Sequence, residues 1–294
     1  MEICNICPRQ CKADRKIGRG FCGVSDRPMV AKAFLHKWEE PCISGTNGSG
    51  TVFFSGCNLK CVFCQNYDIS QEYSGREISI EELSNIYLKL QQMGAHNINL
   101  VNPTHYAIQI RKSLEISSSL NIPVIYNTNA YETIDGLKTV EGLVHVYLPD
   151  LKYMEESTAK KYSGAPNYFE VAYKAIKEMY RQVGGPVLDE NGLIIKGLII
   201  RHLILPGLAG ESIKILDYIK GNLPDDIYIS LMSQYTPYYR AENYPEINRR
   251  ITRREYDRVI NHFFKLGFEN GYVQDRESAS CEFIPEFDFE GVDG

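Results

Sequence analysis

The sequence predicts an α/β fold, a partial (β/α)6 TIM-like barrel, and three observations carry that expectation. From Thr51 onward, short apolar runs alternate with longer amphipathic stretches. The short runs are about five residues long and apolar nearly throughout, which suits parallel strands buried on both faces. Six such runs are separated by enough chain for a helical crossover between neighbours. Strand count alone leaves a doubly wound sheet open as the alternative. In either arrangement right-handed crossovers bring the loops that follow the strands to one rim, where such folds do chemistry.

Thr51–Ser55 (TVFFS) is β-branched and aromatic and is the first strand. Ser79 before Ile80-Glu81-Glu82 predicts an N-cap for a helix running to about Met93, with Gly94 as its stop. Asn97–Val101 is the second strand, followed by a helix from about Thr104 to Ser119. Val124–Asn127 is the third, followed by a short helix around Glu132–Val140. Val144–Leu148 is the fourth and ends at Pro149. Helical patterns follow at about Glu155–Tyr162 and Asn167–Gln182. Gly197–Leu205 and Ile227–Met232 are the last two strands, and Thr252–Leu266 is the closing helix.

The chain has 294 residues, 44% of them apolar, enough to bury a sizeable core. A net charge of −5 argues against a nonspecific nucleic-acid binder. No stretch approaches the ~18 apolar residues of a membrane span, and the start Met1-Glu2-Ile3-Cys4 has no apolar signal core. A cytoplasmic protein is expected, with neither nucleic acid nor membrane as partner. In that compartment the nine cysteines read as metal ligands, reactive thiols or buried small hydrophobes rather than disulfides. Eight of the nine precede residue 65. They mark a cysteine-rich head over residues 1–50, ended by the turn-forming Thr46–Gly50, before a (β/α) core over 51–270 and an acidic, aromatic tail over 271–294. Whether the tail packs over the barrel or stays mobile is left open.

Cys57, Cys61 and Cys64 form a CxxxCxxC run directly after the first strand. Three thiolates so close in sequence can each bind one iron of a four-iron cluster, whereas ordinary electron-transfer clusters are closed by four cysteines. The last iron is then left for another ligand. This spacing resembles the radical S-adenosylmethionine (SAM) superfamily. That resemblance implies a [4Fe–4S] cluster whose open iron is chelated by SAM, reductive cleavage of SAM to a 5′-deoxyadenosyl radical, and abstraction of a substrate hydrogen. It also implies a one-electron reductant such as flavodoxin or ferredoxin. Cys61-Val62-Phe63-Cys64-Gln65-Asn66 is similar to the CxxCHN run of pyruvate formate-lyase activating enzymes, with Gln65 in place of the histidine. The stretches Asn97–His105, Val146–Tyr153, Ile200–Gly207 and Ser230–Pro237 resemble the PflX-type branch of that group. The substrate this implies is a protein or peptide, in particular the backbone glycine of a glycyl-radical enzyme. Other radical SAM modifications, and a non-enzymatic iron–sulfur carrier with Cys42 or another thiol closing the cluster, are the alternatives.

The same resemblance suggests the SAM contacts. Phe63 falls near the adenine, and Asn66 belongs to the same run. Asn102-Pro103-Thr104-His105 replaces the usual Gly-Gly-Glu, making Asn102, Thr104 and His105 candidates. Asp150 and Lys152 match an Asp-x-Lys pair near the SAM carboxylate; Arg201 and Gln234 match further contacts, with Tyr235 beside Gln234. Arg201 also lies within an apolar run and needs a buried partner on physical grounds alone. Asn127, Thr128 and Asn129 end a strand and either line the pocket or form a turn. In the head, Cys4, Cys7, Cys11 and Cys22 can close a zinc site or hold a second iron–sulfur cluster; reduced thiols at the interface with the barrel are the alternative. Cys42 and Cys281 read as buried small hydrophobes. The tyrosines at 235–244 read as packing, and the basic run Arg249–Arg254 as a solvated helix start.

Overall fold

A computed structural model describes residues 3–275 and 285–292. Ten strands form one sheet system: β1 (Met29–His36), β2 (Ser49–Phe54), β3 (Arg76–Glu77), β4 (Ile98–Val101), β5 (Val124–Thr128), β6 (Val146–Pro149), β7 (Val187–Leu188), β8 (Ile194–Leu203), β9 (Tyr228–Met232) and β10 (Gly271–Val273). Along the main path the order is β10-β9-β8-β6-β5-β4-β2-β1-β3, with β7 paired to β8. From β2 to β10 every main-path neighbour is parallel. The order is also monotonic in sequence, so each crossover steps the same way. A doubly wound sheet needs a reversal of strand order; right-handed crossovers without one place all the helices on one face. The fold is therefore the barrel-type α/β arrangement that the alternation predicted, with β10 as a seventh parallel strand.

Helices at Ile80–Gln92, Ala107–Ile116, Ile134–Thr139, Tyr168–Val183, Ala209–Asn222 and Arg253–Lys265 follow successive strands. The Ser79 cap acts as read, forming a reciprocal capping box with Glu82, and the structure adds a second box at Thr252 and Glu255. The basic run is thus the start of the last helix. Helix Ala209–Asn222 escaped the sequence reading because its N-cap is Leu208, with no side-chain cap, and Gly210 and Gly221 interrupt its pattern.

The expected turn-forming boundary over 46–50 is corrected in part. Ser49 and Gly50 are buried and open β2, which pairs antiparallel with β1. Strand β1 was hidden by its lysine. Lys32 sits within it and reaches Asp288 at 2.9 Å and Glu290 at 3.1 Å in the tail. Ala33 N–H also donates to the Glu290 carbonyl at 2.8 Å, and the Phe287 ring meets Phe53 edge-on at 5.4 Å. Residues 285–292 of the tail thus pack on β1 and β2, whereas Gly271–Val273 at its start belong to the sheet as β10, paired with β9. Cys281 lies outside the described residues.

The face away from the helices is filled from below by the segment after β1. Cys42 and Ile43 pack with Ile125, Val146, Leu148 and Ile199 in a separate apolar cluster. Cys42 is therefore the buried hydrophobe expected of it and is no part of the cysteine loop. Above this layer the same face turns polar, with Asn99, Asn127, Asp150, Arg201 and Ser230 near the C-terminal strand ends.

Candidate active site

The loop Cys57–Cys64 leaves β2 at this polar end and is held by its main chain. Cys57 N–H donates to the Cys22 carbonyl at 3.2 Å, Lys60 N–H to Ser163 at 3.0 Å, and Val62 N–H to Tyr162 at 2.8 Å. Arg9 clamps the loop from the head, its Nε donating to the Asn58 carbonyl and its Nη1 to that of Gly164, both at 2.7 Å. Gly56 makes the turn at φ +85°, and a β-carbon there would lie 2.9 Å from the Cys22 carbonyl and from Val24. Glycine is required because the head approaches so closely.

Each thiol of the loop has donors aimed at it. Leu59 N–H and Asn129 Nδ2 lie 3.3 and 3.5 Å from the Cys57 sulfur. Ser163 Oγ donates to Cys61 Sγ at 2.9 Å, and Ser70 Oγ is 3.3 Å from Cys64 Sγ. Burial, together with the neighbouring thiols, pushes Cys57 up to about 11 and Cys64 up to about 12. Burial likewise raises Cys61, opposed by the Lys152 charge. Such thiols ionise only against a strong cation, while the donors around them suit thiolates. Among the described residues no three His, Cys, Asp or Glu side chains gather closely enough for one metal ion. Three thiols of one loop that face one cavity suit a cluster in which each takes a different iron.

All three open into one cavity of about 630 Å³. Phe63, Asn66, Asn102, Asp150, Lys152, Arg201 and Gln234 line it, as do Asn127, Thr128, Asn129 and Tyr235. No fourth cysteine is among the described residues that line it. Phe63 packs edge-on against Tyr235 with centroids 5.5 Å apart. Asn102 adopts φ +59°, a left-handed conformation that asparagine tolerates, and its Nδ2 donates to the Gly56 carbonyl while its Oδ1 lies 3.6 Å from Cys57 Sγ. Lys152 Nζ pairs with Asp150 at 2.6 Å. Burial works against the ammonium, but the Asp150 carboxylate outweighs it and raises Lys152, which stays charged. The Tyr168 hydroxyl accepts Lys152 N–H at 3.0 Å and lies 2.6 Å from the Asp150 carbonyl, fixing this strand end.

Thr104 and His105 do not line the cavity, which corrects their reading as SAM contacts. The turn after β4 aims them into the protein. Thr104 donates to Glu132 at 2.6 Å, and His105 Nε2 lies 2.8 Å from the Ser55 carbonyl. Burial and the Arg15 charge drive His105 down to about 3, so it is neutral.

Sequence reasoning missed the floor of the cavity. Arg201 Nε donates to Glu40 at 2.8 Å, and its Nη2 reaches both Glu40 and Glu39. Glu39 also accepts Asn99 Nδ2 at 2.8 Å. Burial alone pushes Glu40 up, but the charge and hydrogen bonds of Arg201 outweigh it and hold the carboxyl below its ordinary value. The adjacent acids before Pro41 carried no motif that singled them out. The one available signal was Arg201 itself, which had to find a charge inside the barrel.

A barrel-type α/β sheet with three cysteines facing a strand-end cavity defines a class of cluster-dependent enzymes. Residues 51–197 match the model of the radical SAM superfamily, and the chain belongs to that family. It is 35% identical over 269 residues to uncharacterized protein MJ0674 of Methanocaldococcus jannaschii, covering 87% of this chain and 73% of the relative. Among solved structures, methylornithine synthase PylB superposes with a TM-score of 0.52 at 14% identity, covering 83% of this chain and 72% of PylB. SuiB of Streptococcus suis bound to SAM gives 0.50 at 15%, over 74% of this chain and 48% of SuiB, so the chain spans about half the length of that relative. These two likenesses speak for the fold alone. Family membership implies a [4Fe–4S] cluster and SAM. Among the described residues no helix is long and apolar enough to cross a membrane.

Proposed function

We propose that this protein is a radical SAM enzyme acting on a protein or peptide, with the backbone glycine of a glycyl-radical enzyme as the substrate the PflX-type resemblance favours. The observation that carries the reading is the convergence of Cys57, Cys61 and Cys64 on one cavity with charged and amide side chains from successive strand ends. When bound there, the cluster and SAM supply reductive carbon–sulfur cleavage and a 5′-deoxyadenosyl radical for hydrogen abstraction.

The chain's own groups bind, orient and shield. Cys57, Cys61 and Cys64 are the cluster ligands, and Ser163, Ser70 and Asn129 donate to their sulfurs. Lys152 presents a fixed ammonium for the methionyl carboxylate, held in place by Asp150. Asn102 and Asn66 would offer amides to the cofactor's polar groups, and Phe63 and Gln234 would hold its adenine. Arg201, Glu39 and Glu40 form a rigid floor rather than a mobile contact. Trp38, Phe53 and Pro285 also line the cavity, apolar surface that suits a peptide; SuiB has been solved with its precursor peptide SuiA. The expected reductant is flavodoxin or ferredoxin. A second metal centre at Cys4, Cys7, Cys11 and Cys22 belongs to the same reading.

The test is anaerobic reconstitution, reduction, and electron paramagnetic resonance with and without SAM, with 5′-deoxyadenosine measured in the same samples. A signal shifted by SAM and deoxyadenosine formation support the proposal. A cluster indifferent to SAM, with no deoxyadenosine, would leave the electron-carrier reading in its place.

A further inference from the structure

The cysteine loop is a wall with two sides. Cys57, Leu59, Cys61, Phe63 and Cys64 line the inner cavity. Lys60 and Val62, which flank Cys61, line a separate outer concavity of about 280 Å³ together with Gln71, Tyr73, Tyr239 and Arg240. At Cys61 the two hollows are therefore separated by the backbone of the loop itself. Hydrogen bonds fix the outer walls to that backbone. Gln71 Nε2 donates to the Cys61 carbonyl and Arg240 N–H to the Val62 carbonyl, both at 2.9 Å. Anything seated in the outer hollow is thus held in register with the sulfurs behind it.

The outer hollow is not built for a free small molecule. It stands at the lower limit of such sites in size, and they are mostly apolar. Its two charged groups are both cations, Lys60 and Arg240, and neither meets a carboxylate among the described residues. Each lies on aromatic surface instead. Lys60 Nζ donates to the Tyr73 hydroxyl at 3.2 Å and lies 5.2 Å from the centroid of that ring and 5.3 Å from that of the exposed Phe21. The Arg240 guanidinium lies 4.8 Å from the centroid of Tyr239, which stacks on Tyr67 at 4.9 Å. Arg9 adds a third such pair, 4.1 Å from Phe21. An aromatic face attracts a cation without neutralising it, so the charge stays available to a partner. Asp68 and Glu72 stand beside Tyr67 and bound the patch on that side.

We propose that this concavity is the docking site of the one-electron donor, and that the donor is an acidic protein presenting the edge of a flavin. Charge selects an acidic partner. On a chain of net charge −5, a basic patch is where such a protein is attracted rather than repelled. The rings select the flavin. Tyr73 and Tyr239 offer aromatic surface to a flat heterocycle, which a cluster enclosed by its own cysteines does not present. Position gives the role. One electron leaves the partner's reduced flavin and crosses the loop to the cluster that Cys57, Cys61 and Cys64 bind, with no bond made or broken. What the electron feeds rests on the radical SAM reading; whether the surface binds such a carrier does not.

The test uses the full chain, reconstituted anaerobically, with a purified flavodoxin as the probe and a purified ferredoxin beside it. Dissociation constants are read by isothermal titration calorimetry at low and high salt, without SAM. The wild type is expected to bind flavodoxin, and more weakly as salt rises. R240E and K60E should each weaken that binding at least about tenfold. In parallel, 5′-deoxyadenosine formation is driven either by flavodoxin or by dithionite, a small reductant that needs no docking site. R240E should lose rate with flavodoxin and keep it with dithionite. Unchanged flavodoxin affinity in the variants, or tighter binding of ferredoxin than of flavodoxin, overturns the inference. Because Lys60 lies within the cysteine loop, K60E counts only if its iron content matches the wild type; R240E, at an exposed side chain, decides the matter if it does not. If neither reductant yields 5′-deoxyadenosine in the wild type, the SAM reading fails, while the affinities still decide the docking surface.

Discussion

Replacing Arg201 by methionine leaves two carboxylates in the barrel floor without their cation. Glu39 and Glu40 side chains are only 9% and 5% exposed, so water cannot substitute for the guanidinium. The protein contains its own gauge of the cost. Glu132 is a buried carboxyl whose described partners are neutral, Thr104 and Thr128, and burial carries it from 4.5 up to about 7. A carboxyl moved that far costs about 3.4 kcal/mol to keep ionised above neutral pH, within the ~3–5 kcal/mol typical of a buried pair that loses one member. The sign with pH is equally definite. In the wild type Glu40 is depressed, so its contribution is present above the unfolded value near 4.5 and is lost as pH falls through the folded value. In R201M the folded value lies above the unfolded one, so the penalty is absent in acid and grows as pH rises from about 4.5 towards 7. Urea unfolding of the apo protein at pH 5 and pH 8 measures this. R201M should lose at least about 3 kcal/mol at pH 8 and markedly less at pH 5. E39Q/E40Q/R201M should recover much of the loss. R201M within 1 kcal/mol of wild type at both pH values would refute the buried-pair argument.

Three other outcomes are expected. E132Q removes a carboxyl raised by burial, whose penalty develops as pH rises from 4.5 to about 7; the variant should gain up to about 3 kcal/mol on wild type between pH 4 and pH 8, read by denaturant unfolding across that range. G56A forces a β-carbon to 2.9 Å from the Cys22 carbonyl at φ +85°; it should destabilise by about 1–3 kcal/mol and reduce iron uptake at the loop, seen in thermal melts and iron counts. S163A deletes the hydroxyl that donates to Cys61 Sγ at 2.9 Å; the reduction potential of the SAM-responsive cluster should fall, because that donor favours the more electron-rich state, as a spectroscopic redox titration would show.

The sequence carried what is local. Strands β2, β4, β5, β6, β8 and β9 were legible because each is a short apolar run, and the cysteine spacing was legible because three ligands of one loop must be near in sequence. The capping residue Ser79 acted where it was read, since a cap bonds within one turn. Burial of Cys42 was likewise expected from its chemistry. What depended on distant residues was not legible. Strand β1 contains Lys32, whose charge is met some 250 residues later by the tail. His105 and Thr104 looked like pocket residues from their place after β4, but the turn there aims them at Ser55 and Glu132. The clearest case is the cavity floor. Arg201 announced that it needed a partner, yet nothing local said the partners would be Glu39 and Glu40, some 160 residues earlier in the segment after β1. Periodicity and ligand spacing are written into neighbouring residues; the pairing of buried charges is decided only when the chain closes on itself and leaves them no water.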